Sequence, residues 1–139
     1  MVRLTLEQLH EAMAWWRPHL GLSDWDIKLT MKPYGEMEAL AENLARFCHR
    51  ELDIWISPPE TRNADRLPRC DMEIDLVHEM LHAVMNPAET ELDLEPGVLN
   101  DSCFEQPIEL IAKSFVNLRR MSNHRFSWEN ATKGPNGSD

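Results

Sequence analysis

A chain of 139 residues with 42% apolar content is long enough for one domain with a core of its own. Its formal net charge of −10 argues against nucleic-acid binding, which relies on basic surface to neutralise phosphates, and otherwise reads as ordinary solubility. Three widely spaced cysteines, Cys48, Cys70 and Cys103, with no C-x-x-C among them, suit free thiols in a reducing compartment rather than a disulfide framework.

The opening residues, Met-Val-Arg-Leu-Thr-Leu-Glu-Gln, lack the apolar segment of a signal peptide, and no later apolar run approaches the length needed to cross a bilayer. A cytoplasmic protein is the expectation. Thr5-Leu6-Glu7-Gln8 reads as a capping box, and Leu6, Leu9, Met13, Trp16 and Leu20 then recur at helical spacing up to a stop at Gly21. Trp15 and Trp16 on that helix are read as core braces rather than ligand contacts. From Asp24 the period becomes two: Trp25, Ile27, Leu29 and Met31 alternate with polar residues, as in a half-buried strand. Pro33-Tyr34-Gly35 marks a turn.

Residues 36–50 are ambiguous. Propensity alone says helix, but Leu52, Ile54 and Ile56 alternate in the next segment, and such a strand needs a neighbour. A strand over about 38–47, joined to it by a hairpin at Cys48-His49-Arg50, is the preferred reading. Residues 60–69 read as a polar loop. A helix then starts behind Asp71 as N-cap and is expected to stop at Pro87. Pro87 to Asp101 reads as a solvated acidic loop. The last helix is expected from about Phe104 to Arg120, with Ile108, Ile111, Ala112, Phe115 and Leu118 as its buried stripe. The expected organisation is one domain over 1–121 and a polar, disordered tail over 122–139.

The chemistry concentrates on the helix behind Asp71. His78-Glu79-Met80-Leu81-His82 is an H-E-x-x-H pattern inside an apolar segment. Residues four apart share one helix face, so His78 and His82 can hold one metal ion while Glu79 acts on a water beside it. The plainer reading, two histidines pairing with acidic neighbours, leaves polar groups in an apolar segment without an evident purpose. Zinc is the expected partner, as one ion.

A catalytic zinc site usually takes a third protein ligand. The extended H-E-x-x-H-x-x-G-x-x-H form is absent, since Met85 and Ala88 stand at its later positions. Glu105 and Glu109 lie four apart on the last helix. One can bind the metal while the other accepts a hydrogen bond from a ligand histidine. Pro107 suits a first helical turn, which puts Glu105 at the start of the helix and Glu109 one turn further in. Glu105 is the expected ligand and Glu109 the alternative. A capping box at Ser102-Cys103-Phe104-Glu105 is a competing use for Glu105.

His78-Glu79-Met80-Leu81-His82 followed by Glu105-Gln106-Pro107-Ile108-Glu109 resembles the gluzincin arrangement, H-E-x-x-H and then E-x-x-x-D. The resemblance implies Glu105 as zinc ligand and Glu109 as the acid behind a histidine, with Glu where Asp is more usual. The order of leading helix, strand after Leu22-Ser23-Asp24-Trp25, and Val77-His78-Glu79 helix is similar to the small single-domain metallopeptidases of phages and prophages, related to the SprT-like and IrrE/ImmA-like groups. The similarity runs over about residues 5–120, and the zinc ribbon frequent in SprT-like proteins has no counterpart here. It implies an α+β, zincin-like fold: a sheet of about three strands packed on an N-terminal helix, the H-E-x-x-H helix and a C-terminal glutamate helix.

The expected function is zinc-dependent peptide hydrolysis with Glu79 as general base, on a peptide or protein substrate bound along a sheet edge near residues 38–47. No nucleic-acid or membrane partner is expected. Tyr34, His49 and His124 are the weak candidates for oxyanion stabilisation. Two other classes compete: a zinc-stabilised binding or regulatory protein of the same fold, and a metal-free helical regulator.

Overall fold

Thr5 starts the first helix by closing both halves of its cap. Its Oγ1 accepts from the Gln8 main-chain N–H at 3.2 Å, and Gln8 Oε1 accepts from the Thr5 N–H at 2.9 Å. The computed structural model describes residues 1–37, 39–91 and 100–130. Helix α1 (Leu6–His19) buries Leu9, Ala12, Met13 and Trp16 and leaves Leu6 at the edge. Gly21, at φ 73°, turns the chain out of it in the left-handed region that a side chain would strain.

Three strands follow: β1 (Asp26–Met31), β2 (Ala41–Arg46) and β3 (Glu51–Ile56). The ambiguous segment is therefore a strand, shorter than the span of 38–47 expected for it. A turn at Phe47–His49, closed by Arg50 at φ 53°, joins β2 to β3 as a hairpin. The sheet order is β1-β3-β2, with β1 parallel and β2 antiparallel to β3, so the sheet is mixed. Leu52, Ile54 and Ile56 of the central strand are fully buried. Among the described residues β2 pairs on one side only.

Asp71 caps helix α2 (Met72–Glu91), its Oδ1 accepting from the Ile74 N–H at 3.2 Å. This helix packs across the sheet and against α1 and α3. Pro87 does not end it. Proline removes one N–H and hence one bond to the Ala83 carbonyl, and the helix runs on for another turn despite that loss. Residues 87–91 are thus helix rather than acidic loop, and residues 92–99 lie outside the described residues.

Helix α3 (Asn100–Met121) begins several residues before Phe104, which puts Pro107 inside the helix rather than in its first turn. Its buried face is Ile108, Ala112, Val116 and Arg119, while Phe115 and Leu118 face outward, Leu118 at 63% exposure. Ile108, Ile111 and Ala112 of the expected stripe do face the core, whereas Phe115 and Leu118 do not, because the buried positions near the end of the helix are held by Val116 and Arg119. Residues 122–130 also differ from the polar tail expected of them. Phe126 is buried in the core, Glu129 pairs with Arg119, and Ser127–Asn130 forms a short helix, α4. The remainder, 131–139, lies outside the described residues. No described helix is long and apolar enough to cross a membrane.

Helices α2 and α3 run antiparallel, and polar pairs bridge them in a ladder. Asp71 meets Arg120, Glu73 meets Arg119, His78 meets Glu109, and His82 meets Glu105.

Candidate metal centre

The helical spacing of His78 and His82 turns both rings toward α3, with ring centroids 5.2 Å apart. Their Nε2 atoms converge on one carboxylate. His78 Nε2 is 2.9 Å from Glu105 Oε2, and His82 Nε2 is 2.8 Å from Glu105 Oε1. On its other side, His78 Nδ1 donates to Glu109 Oε2 at 2.7 Å. The imidazoles are nearly buried, 13% and 11% exposed, whereas Glu105 and Glu109 are 46% and 41% exposed, so the acids form the solvent side of the cluster.

His78, His82 and Glu105 form a group that could hold a metal ion: one ligand atom from each lies within 4.8 Å of the others. A tetrahedral ion with bonds of about 2.0–2.2 Å spaces its ligand atoms about 3.4 Å apart. The direct N–O contacts here would open by roughly half an ångström to admit one. The donor set fits.

The electrostatics describe the same cluster without an ion. Burial works against charging His78, but the hydrogen bond it donates to Glu109 and the negative charges of Glu79, Glu105 and Glu109 outweigh it, and the imidazole is pushed up to about 9. Glu109 moves the opposite way, held below the usual carboxylate range chiefly by its hydrogen bond to His78. At neutral pH the ring is therefore an imidazolium, and a metal must displace a proton to bind.

Glu79 points toward β2 and is buried, with 5% exposure. Asn43 Nδ2 donates to its Oε2 at 2.7 Å. Burial raises the Glu79 carboxyl, and the Asn43 hydrogen bond and the two imidazoles pull it back in part. A carboxylate with a raised proton affinity, beside two imidazoles, is suited to taking and returning a proton.

The structure thus brings together His78, Glu79, His82, Glu105 and Glu109. The three oxyanion candidates lie elsewhere: Tyr34 opens a turn tied to Thr61, His49 ends the hairpin turn, and His124 stacks on Trp15 with centroids 4.7 Å apart. None of them lines the open cavity beside the cluster, which is formed by His78, Glu105, Gln106, Glu109, Leu110 and Lys113. Pro107 does not mark the first turn of α3, so Glu105 does not open that helix as expected. Glu105 reaches the histidines from the interior of α3, and it does so because α2 and α3 are antiparallel.

Sequence reasoning missed Asn43. The one signal available was a lone amide between Ala41 and Ala45 at strand spacing, and it became readable only once that segment was known to be a strand. Also missed was Arg62, a buried guanidinium in the expected polar loop, which donates to the Ser57 carbonyl and sits 3.0 Å from Asp75 Oδ2. Burial drives Asp75 up to about 6, and Arg62 offsets only part of that.

No protein-family model, curated protein or solved structure matches this chain.

Proposed function

We propose that the protein is a zinc-dependent, gluzincin-like metallopeptidase in which His78, His82 and Glu105 hold the ion. The observation that carries this reading is the convergence of both Nε2 atoms on the Glu105 carboxylate while Glu109 occupies the remaining nitrogen of His78. A ligand histidine commonly donates its far N–H to a carboxylate, which fixes the tautomer and the ring orientation. Two imidazoles and one carboxylate are a usual donor set for zinc. When bound, such an ion polarises a carbonyl and makes a water a better nucleophile at neutral pH.

The residues of the chain do the rest. Glu79 accepts the proton of the attacking water and returns it to the leaving amine, so the peptide bond breaks with water added across it and the carboxylate restored. Glu109 keeps the His78 Nδ1 proton in place. Among the described residues no strand pairs with the outer edge of β2, whose main-chain groups could bind an extended peptide as an added strand beside Glu79.

A second reading, a binding or regulatory protein without cleavage, is favoured by one observation: the Glu105 carboxylate already bridges both imidazoles directly, a set of contacts that needs no reaction. Elemental analysis of purified protein separates the metal-containing readings from a metal-free one, and one zinc per chain is expected. Glu79→Gln should retain that zinc and the thermal midpoint while abolishing cleavage. Unchanged cleavage would sink the mechanism. Glu105→Ala should lower zinc content more than Glu109→Ala, and the reverse order would exchange the two roles.

A further inference from the structure

Among the described residues, Asn43 is where the open edge of the sheet meets the buried Glu79. Its main chain can be placed from one contact. Ser57 N–H donates to the Leu40 carbonyl at 3.0 Å, so Leu40 and Ser57 form a hydrogen-bonded antiparallel pair. Such pairs alternate along an antiparallel ladder. By the register, Glu42–Trp55, Leu44–Asp53 and Arg46–Glu51 are hydrogen-bonded pairs, and Ala41, Asn43 and Ala45 send their N–H and C=O groups outward, away from β3. The outward-facing main-chain groups at the middle of the edge therefore belong to Asn43.

Its side chain goes the other way. Asn43 is opposite Ile54, on the face that packs under α2, and its face neighbours are the small residues Ala41 and Ala45. Small residues there let α2 lie close to β2, and the Asn43 amide spans the remaining gap to Glu79 at 2.7 Å. A glutamate has three soft torsions, and a buried carboxylate deprived of its donor turns away or loses its charge. A neutral amide is the suitable donor: it orients the carboxylate by one oxygen and adds neither a charge nor a competing acid.

We propose that Asn43 is a positioning residue for Glu79, aiming the carboxylate through its side chain while its main chain takes part in docking an extended substrate on the β2 edge. The proposal rests on the peptidase reading for its second half. One residue would then join substrate occupancy to the orientation of the base.

The test uses the full-length zinc-loaded protein with fluorescein-labelled casein as probe. Asn43→Ala should lower kcat by about 10- to 100-fold, the scale of a misplaced catalytic group, with KM and zinc content within about twofold of the parent. Asn43→Asp should be at least as impaired, because it sets an acceptor against an acceptor. Asn43→Gln, which carries the same amide one methylene farther out, should recover part of the loss. A kcat within about twofold of the parent in Asn43→Ala, or a loss confined to KM or zinc content, would overturn the proposal. Failure of the parent protein to cleave casein would count against the peptidase reading alone. The aiming contact is then read by nitrogen-15 NMR: the Asn43 side-chain amide pair, identified by its disappearance in Asn43→Asp, should shift in Glu79→Gln. An unmoved pair would overturn the aiming contact whatever the enzyme does.

Discussion

The two ends of the α2–α3 pair use the same kind of polar bridge for opposite purposes. At one end Glu73, with no exposed surface, receives Trp16 Nε1 at 3.1 Å and Arg119 through two bonds of 2.7 and 2.8 Å, and Arg120 adds a third cationic contact. Asp71 and Glu129 occupy the other faces of the two arginines, and the Phe126 ring covers Arg119 at 4.5 Å. Charges of both signs are supplied by the protein, and the network is closed. At the other end Glu79, Glu105 and Glu109 stand against Lys113 and two imidazoles. Among the described residues, three carboxylates there face one lysine and the His78 imidazolium, so this end keeps an excess of negative charge. The first end is braced by the chain's own charges, and the second leaves its acids partly exposed on the solvent side.

The contrast can be broken most forcefully at the closed end. Arg119→Ala removes two of the hydrogen bonds to the fully buried Glu73 carboxylate, leaving those from Trp16 and Arg120, and should destabilise the protein by about 2–3 kcal/mol, read from denaturant titration, with the residues of the candidate metal centre untouched. A cost below about 1 kcal/mol would show that the buried network is not what distinguishes this end.

The next effect belongs to the open end and depends on pH. His78 in the folded, metal-free protein sits at about 9, above its ordinary value of 6.5. The folded state therefore binds that proton more tightly than the unfolded chain does. The resulting stability, on the order of 3 kcal/mol, is fully present below about pH 6.5 and is lost as pH rises through about 9. Chelator-treated protein should lose thermal stability over that window, whereas protein supplied with zinc, in which the proposed site would hold His78 neutral on the ion, should not. Parallel curves would remove the proposed competition between proton and metal.

Glu109→Gln keeps a hydrogen-bond acceptor for His78 but removes its charge, and should weaken zinc binding by about 10-fold, within the range seen for such partners. Competition with a chromogenic chelator measures it. Lys113→Ala should have the smallest effect. Lys113 is 56% exposed and 3.5 Å from Glu109, so its loss should change stability by less than about 0.5 kcal/mol. A larger change would mean that the open end is more nearly closed than its geometry implies.

The two ends also differ in how far they could be read from the chain. His78, Glu79 and His82 were legible because their relation is local, two histidines four positions apart on one helix with a glutamate between them. Glu105 and Glu109 were legible as a spaced pair, although the reason given through Pro107 was wrong. The strands were legible where apolar and polar residues alternate, as in Leu52, Ile54 and Ile56. By contrast, hydropathy never nominates an arginine for the core, so Arg119 was passed over and Phe115 and Leu118 were given its buried face. The residues after 121 look polar on average, and that average conceals Phe126, which returns to the core, and Trp128, which packs against it. Asn43 was illegible for a further reason: its partner is 36 residues away, on an element that only the tertiary fold brings over the strand.

Prolines interrupt both walls of the candidate metal centre. Pro87 follows the His82 turn on α2, and Pro107 comes two residues after Glu105 on α3. Each deprives a carbonyl one turn earlier, Ala83 and Cys103, of the helical N–H that would ordinarily face it. The helices are therefore unfastened by one stitch apiece beside His82 and Glu105, side chains that would part by roughly half an ångström to seat an ion. The centre is in this sense an adjustable clasp, with its give built into the backbone and its grip in the side chains.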